Sequence, residues 1–208
     1  MLGTRPDISF AVIKMAQFSA NPSARHMDIL KYILRYLNTT RNKCLVYDGA
    51  SNKGLIAFTD SDWASDKIKQ RSQTGFFFMI AGAIFSWQSR AQKTIALSST
   101  EAEYMALSDC SRQAVWIKAL LLELGITVAP IHINGDNQGA IFIGSNPVQE
   151  KRSKHIDIRY HFIRQCLEDK KISLYFVEGA ENPADMFTKN LGKVKFLKFR
   201  DQLGFESR

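Results

Sequence analysis

Four acidic residues, Asp60, Glu101, Asp136 and Asp185, stand where the chain changes its texture. Asp60 closes the apolar run of "LIAFTDSDWASD", and Glu101 opens a helical stretch in "SSTEAEYMAL". Asp136 follows "IHIN" in "HINGDNQGA", and Asp185 lies in "ENPADMF". Each has an ordinary explanation. Asp60 suits a strand-ending turn, and the helix start offers a capping box, Ser98 with Glu101 or Thr100 with Glu103. Asp136 suits a turn or an N-cap. Asp185 favours the dipole of a short helix capped by Asn182 and begun by Pro183. Those explanations do not cover the combination. Four carboxylates drawn from four elements of a basic protein repel one another unless cations neutralise them. Hard divalent cations take oxygen ligands, and pairs about 3.5–4 Å apart serve phosphodiester chemistry. Such a set suits two hard divalent cations, and octahedral oxygen sites accept Mg²⁺ and Mn²⁺ alike.

The elements that must bring these acids together are legible in outline. Residues 8–37 read as helix, broken at Pro22, with Ile29, Ile33 and Leu37 at four-residue steps. "CLVYDG" reads as a strand before a Gly- and Ser-rich turn. "LIAF" has the unbroken apolar character of a central strand covered on both faces. "TGFFFMIAGAIFSWQS" reads as a hairpin turning near Gly82. From Ser98 a helix of about 26 residues runs to Gly125, with Ala106, Cys110, Ala114, Ile117 and Leu121 on one face. A short strand "PIHIN", a brief helix, the basic amphipathic "KHIDIRYHFIRQCLEDKK", a strand "ISLYFV", the short helix "NPADMFTKNL" and a basic tail follow. Hairpin strands followed by strand–helix alternation predict an α/β mixed sheet with helices on both faces. The acids then meet at one edge, beyond the carboxyl ends of strands, where open α/β sheets hold ligands.

Composition narrows the partners. The 208 residues carry a net charge of +8, with 45% hydrophobic and 11% aromatic residues, enough for a core and against disorder. Residues 67–93 hold Lys67, Lys69, Arg71, Arg90 and Lys93 and no acid, and 150–171 and 192–208 are also rich in Lys and Arg. That excess fits a polyanion, most simply nucleic acid, though a merely soluble surface would look the same. No apolar run approaches the roughly 18 residues of a membrane span, and no signal-peptide layout opens the chain. Cys44, Cys110 and Cys166 are odd in number and widely spaced, which fits a reducing compartment better than a disulfide framework or a zinc site.

In order and at matching spacings, "FTDSDWASD", "RSQTGFFF", "FSWQSRAQKTIALSSTEAEYMAL", "GDNQGAI", "KHIDIRYHFIRQ" and "NPADMFTKNL" resemble the ribonuclease H domain of Copia-type retrotransposon polyproteins. The stretch at 1–48 resembles the segment that joins the family's reverse transcriptase to that domain. The resemblance implies a ribonuclease H-like five-stranded mixed sheet over 49–191, with 192–208 as a basic tail. It implies that Asp60, Glu101, Asp136 and Asp185 are the metal-binding acids of Mg²⁺-dependent hydrolysis of the RNA strand of an RNA–DNA hybrid. It also implies an upstream reverse transcriptase as partner, an intracellular setting (cytoplasmic or nuclear), and a chain that is a piece of a longer polyprotein.

Selectivity for RNA would then come from the 2′-hydroxyl, read across the minor groove. Gln138 matches a minor-groove contact of the wider fold, with Asn137, Ser98 and Ser99 as further sugar or phosphate contacts. Lys67, Lys69, Arg71, Arg90 and Lys93 are candidate backbone contacts, although any one of them could be a solvated charge. Asp62, Asp66, Glu103 and Asp157 read as structural or solvated, and His155 and His161 as packing or surface residues. The alternative function is a catalytically silent nucleic-acid-binding relic. A strand transferase on the same fold is disfavoured because its glutamate comes last, whereas here the Glu comes second. A protein-interaction scaffold would leave the strand-end acids unexplained.

Overall fold

The structure, a computed structural model, describes residues 3–50, 54–66, 69–145 and 154–207, the side chains of 154–157 excepted. The helical lead-in is a 3₁₀ turn, Pro6–Ile8, followed by α1 (Ser9–Ala16) and α2 (Ala24–Thr39). The break at Pro22 therefore falls where expected, and Ser23 caps α2 in a capping box closed by His26.

The sheet that carries the acids comprises β2 (Ile56–Asp62), β3 (Gln73–Ile80), β4 (Ala83–Ala91), β5 (Ile131–Gly135) and β6 (Ile172–Phe176), in the order β4-β3-β2-β5-β6. β2 pairs antiparallel with β3 and parallel with β5, and β5 pairs parallel with β6. This is the mixed five-stranded sheet expected, with "LIAF" in its central strand. The hairpin turns at Ala81 (φ 51°) and Gly82 (φ 83°), two positive values in succession that match the right-handed twist of the flanking strands.

Alternation along the strands sends side chains to two cores. On one face, Ala57, Phe76, Phe78, Ile131, Ile133 and Ile172 pack under α3 (Ser99–Glu123), α4 (Gln138–Ser145) and α5 (Lys154–Glu168). On the other, Phe77 and Ile84 pack with Phe187 of a 3₁₀ helix, Pro183–Phe187, with Phe199 of α6 (Lys193–Gln202), and with Leu203 just after it. The basic tail is thus a packed helix. It continues into β7 (Phe205–Ser207), which pairs antiparallel with β1 (Lys43–Leu45) as a separate two-stranded sheet. Among the described residues no helix is long and apolar enough to cross a membrane.

Candidate metal centre

Pairing between β2 and β5 ends at Phe58 and Asn134, just short of the acids. Beyond it the strands part, and Asn182 enters: its Nδ2 donates to the Thr59 carbonyl (3.0 Å) while its Oδ1 accepts from Ala184 N–H (3.1 Å). One amide therefore caps the 3₁₀ helix and fixes it to the end of the central strand.

Asp60 and Asp136 flank that opening. The glutamate that joins them is Glu103, not Glu101. Carboxylate oxygens of Asp60, Glu103 and Asp136 all lie within 4.8 Å of one another. Glu103 Oε1 accepts from the Ser61 N–H (3.1 Å), which holds its carboxylate at the strand end. Glu101 performs the capping role instead: Ser98 Oγ accepts from Glu101 N–H (3.1 Å), and Glu101 Oε2 accepts from Leu97 N–H (2.9 Å). Two residues along an α-helix rotate a side chain by about 200°, so only one of the pair can face the sheet. The signal was present in the periodicity, because Glu103 stands three residues before Ala106 on the face that Cys110, Ala114 and Ile117 bury.

Asp185 is buried beside the trio but is held differently. Lys189 Nζ lies 2.8 Å from Asp185 Oδ1 and 3.3 Å from Asp60 Oδ1, and Lys195 Nζ lies 2.6 Å from Asp185 Oδ2. Thr188 Oγ1 donates to Asp60 Oδ2. Sequence reasoning missed Thr188 and Lys189, which follow Asp185 in "NPADMFTKNL" and reach the cluster only because the 3₁₀ helix packs on the sheet. Gly75 permits that packing. A Cβ there would come within 2.7 Å of both Phe187 Cβ and Thr188 Cγ2.

Electrostatics follow from this burial. Removal from water raises the Asp60 carboxyl to about 6, with Asp185 and Asp136 adding to the rise and Lys189 and Thr188 opposing it. Glu103 is pushed well above the usual carboxylate range, first by burial and then by Asp60 and Asp136. Asp136 is raised by burial too. Burial alone would lower the Lys189 ammonium, but Asp60 and Asp185 hold it above its ordinary range. Two buried carboxylates and a half-buried third, mutually repelling and all-oxygen, fit a hard divalent cation.

The remaining candidates divide. Arg90 binds Asp109, which also receives Arg112 (2.6 Å) and Arg159 (3.2 Å). Asn137 Oδ1 accepts from Ala140 N–H (2.8 Å) at the start of α4. Ser98, Ser99, Gln138, Arg71, Lys69 and Lys93 are exposed. Asp62 is half-buried at the end of β2, and Asp66 Oδ1 accepts from Lys69 N–H (3.0 Å) in the following turn. His161 is exposed on α5 and meets Tyr160 edge to face. No histidine among the described residues joins the carboxylates. Lys67 and the side chains of His155 and Asp157 lie outside the described residues.

No family model matches the chain. Curated relatives do. Across 207 residues, the whole of this chain, 40% of positions are identical to the retrovirus-related Pol polyprotein from transposon TNT 1-94 of Nicotiana tabacum. Along its whole length the chain is homologous to a segment of the retrovirus-related Pol polyproteins of transposons. The Pol polyprotein from transposon RE1 of Arabidopsis thaliana is likewise 40% identical, over 97% of this chain. The chain spans only 16% and 14% of the length of these two Pol relatives. Among solved structures, LC11-RNase H1, determined in complex with an RNA/DNA hybrid, aligns with a TM-score of 0.50 at 12% identity. That alignment takes in 64% of this chain and 93% of LC11-RNase H1, and the shared fold is ribonuclease H-like.

Proposed function

We propose that the chain is the ribonuclease H domain of a transposon Pol polyprotein, hydrolysing the RNA strand of RNA–DNA hybrids with divalent cations. The observation that carries this reading is the convergence of Asp60, Glu103 and Asp136 at the carboxyl end of the central strand. These residues would hold Mg²⁺, with Mn²⁺ also compatible, and Asp185 completes the acidic surroundings for a two-ion site. Bound there, the cations supply positive charge to the scissile phosphodiester and an acidified water.

The chain's own groups do the rest. Ser61 N–H and Thr188 Oγ1 fix the orientations of Glu103 and Asp60, so the carboxylates are aimed before substrate arrives. Arg71 and Lys93 are free to meet backbone phosphates, while Gln138, at the start of α4, suits a 2′-hydroxyl in the minor groove. Arg90 is the weakest of the proposed contacts, because Asp109 already engages it. The upstream reverse transcriptase of the longer polyprotein is the expected partner, and the setting is intracellular.

The test is cleavage of a labelled hybrid by the purified chain with Mg²⁺, Mn²⁺ or EDTA. Cutting of the RNA strand alone, dependent on metal and absent from D60N, is the expected result. Salt-sensitive binding without cleavage under either metal would replace this reading with a non-catalytic nucleic-acid-binding module.

A further inference from the structure

We infer that Lys189 is a tethered counter-ion of the carboxylate cluster, and that a divalent cation gains Asp60 only by displacing the Lys189 ammonium. The inference rests on the proposed cation site and adds a competitor to it.

Both Asp60 oxygens have partners: Oδ1 faces Lys189 Nζ at 3.3 Å and Oδ2 accepts from Thr188. Both Asp185 oxygens face ammonium groups, Lys189 at 2.8 Å and Lys195 at 2.6 Å. The cluster therefore contains four carboxylates and two positive charges of its own. A cation on Asp60 Oδ1 and an ammonium on the same oxygen would stand a few ångströms apart with little water between them. Like charges that close, in so buried a setting, exclude one another.

The lysine has somewhere to go. Its side chain is 35% exposed, whereas those of Asp60 and Asp185 are 0% and 4% exposed, so a flexible stem links the buried site to solvent. The backbone is less free, because Lys189 N–H donates to the Asp185 carbonyl (2.9 Å) at the end of the 3₁₀ helix. Released from Asp60, the ammonium keeps Asp185. Asp185 then acts as a positioning residue that holds two lysines at the rim, in addition to any contact it makes with a cation.

Mn²⁺ binding, read from the electron paramagnetic resonance of free Mn²⁺ without nucleic acid, separates the possibilities. At about pH 8, K189M is expected to bind at least about tenfold more tightly than the natural chain, and K189R within about threefold of it. K198M, which removes an exposed lysine paired with Glu181, is expected to bind unchanged. In the natural chain, amine labelling read by mass spectrometry should rise at Lys189 on adding Mn²⁺ and stay constant at Lys198. The labelling needs no variant, so it decides the matter even if K189M folds poorly. Equal Mn²⁺ affinity in K189M and the natural chain, or Lys189 labelling unmoved while Mn²⁺ binds, overturns the displacement and leaves the nuclease reading intact. Absence of Mn²⁺ binding in every variant overturns both.

Discussion

A carboxylate without solvent contact is costly to keep charged, and Asp60 is fully buried. Its folded pKa of about 6 lies above its ordinary value, so the fold favours the protonated form. The stability this contributes is present below about pH 4 and lost as the pH rises through about 6. Divalent cations need the deprotonated group, so Mn²⁺ affinity is expected to climb through the same interval. A titration between about pH 5 and 8 checks this, and a flat profile would contradict it. The neighbouring glutamates give a sharper contrast. E103Q removes a proposed cation ligand and is expected to abolish metal-dependent cleavage. E101Q keeps an amide oxygen able to accept the Leu97 N–H, so it should cost less than about 1 kcal/mol of stability and keep near-normal cleavage. Here the sequence was legible in kind but not in register. The "SSTEAEYMAL" stretch pointed to a helix-borne glutamate, and the capping explanation available for Glu101 was the one the fold adopts. Glu103 had to be found from the buried face of the helix.

Elements bring these residues together through a close contact between a strand and the 3₁₀ helix. Gly75 pairs with Asp60 across the sheet, and the backbone and side chains of Phe187 and Thr188 press against it. Ser89 Oγ adds a hydrogen bond to the Phe187 carbonyl (2.6 Å) and accepts one from Gln73 Nε2 (2.9 Å). G75A should therefore push the 3₁₀ helix off the sheet, lowering stability by about 1–3 kcal/mol in urea denaturation and carrying Thr188 and Lys189 away from Asp60. G54A, where a Cβ meets nothing within 4 Å, is the control and should be silent. Local signals made the helix break at Pro22, the hairpin at Gly82 and the helix end at Gly125 readable, because each depends on the conformational limits of one or two residues. The approach of "MFTK" to the central strand was not readable. It depends on a small residue more than a hundred positions away.

At the scale of the molecule, the sheet is covered on both faces, and the second cover is supplied by the basic C-terminal residues. Phe199, Leu203 and Phe205 pack with Phe77, Ile84 and Phe187. A chain ending at residue 191 would leave those apolar side chains to water, and circular dichroism during heating is expected to show a cooperative transition for the full chain and its loss in the shortened one. A tail rich in Lys and Arg conceals this role, since its charge suggests a ligand contact while its aromatic residues do the packing. The pairing of β1 with β7 has a further consequence, in time rather than space. Leu45 meets Phe205, so the earlier strand stays unpaired until residue 205 has emerged. At ordinary ribosomal rates that interval is on the order of ten seconds. The fold is thus completed after translation of this region, and for that period the apolar surface of the hairpin is open to chaperones or to other nascent chains.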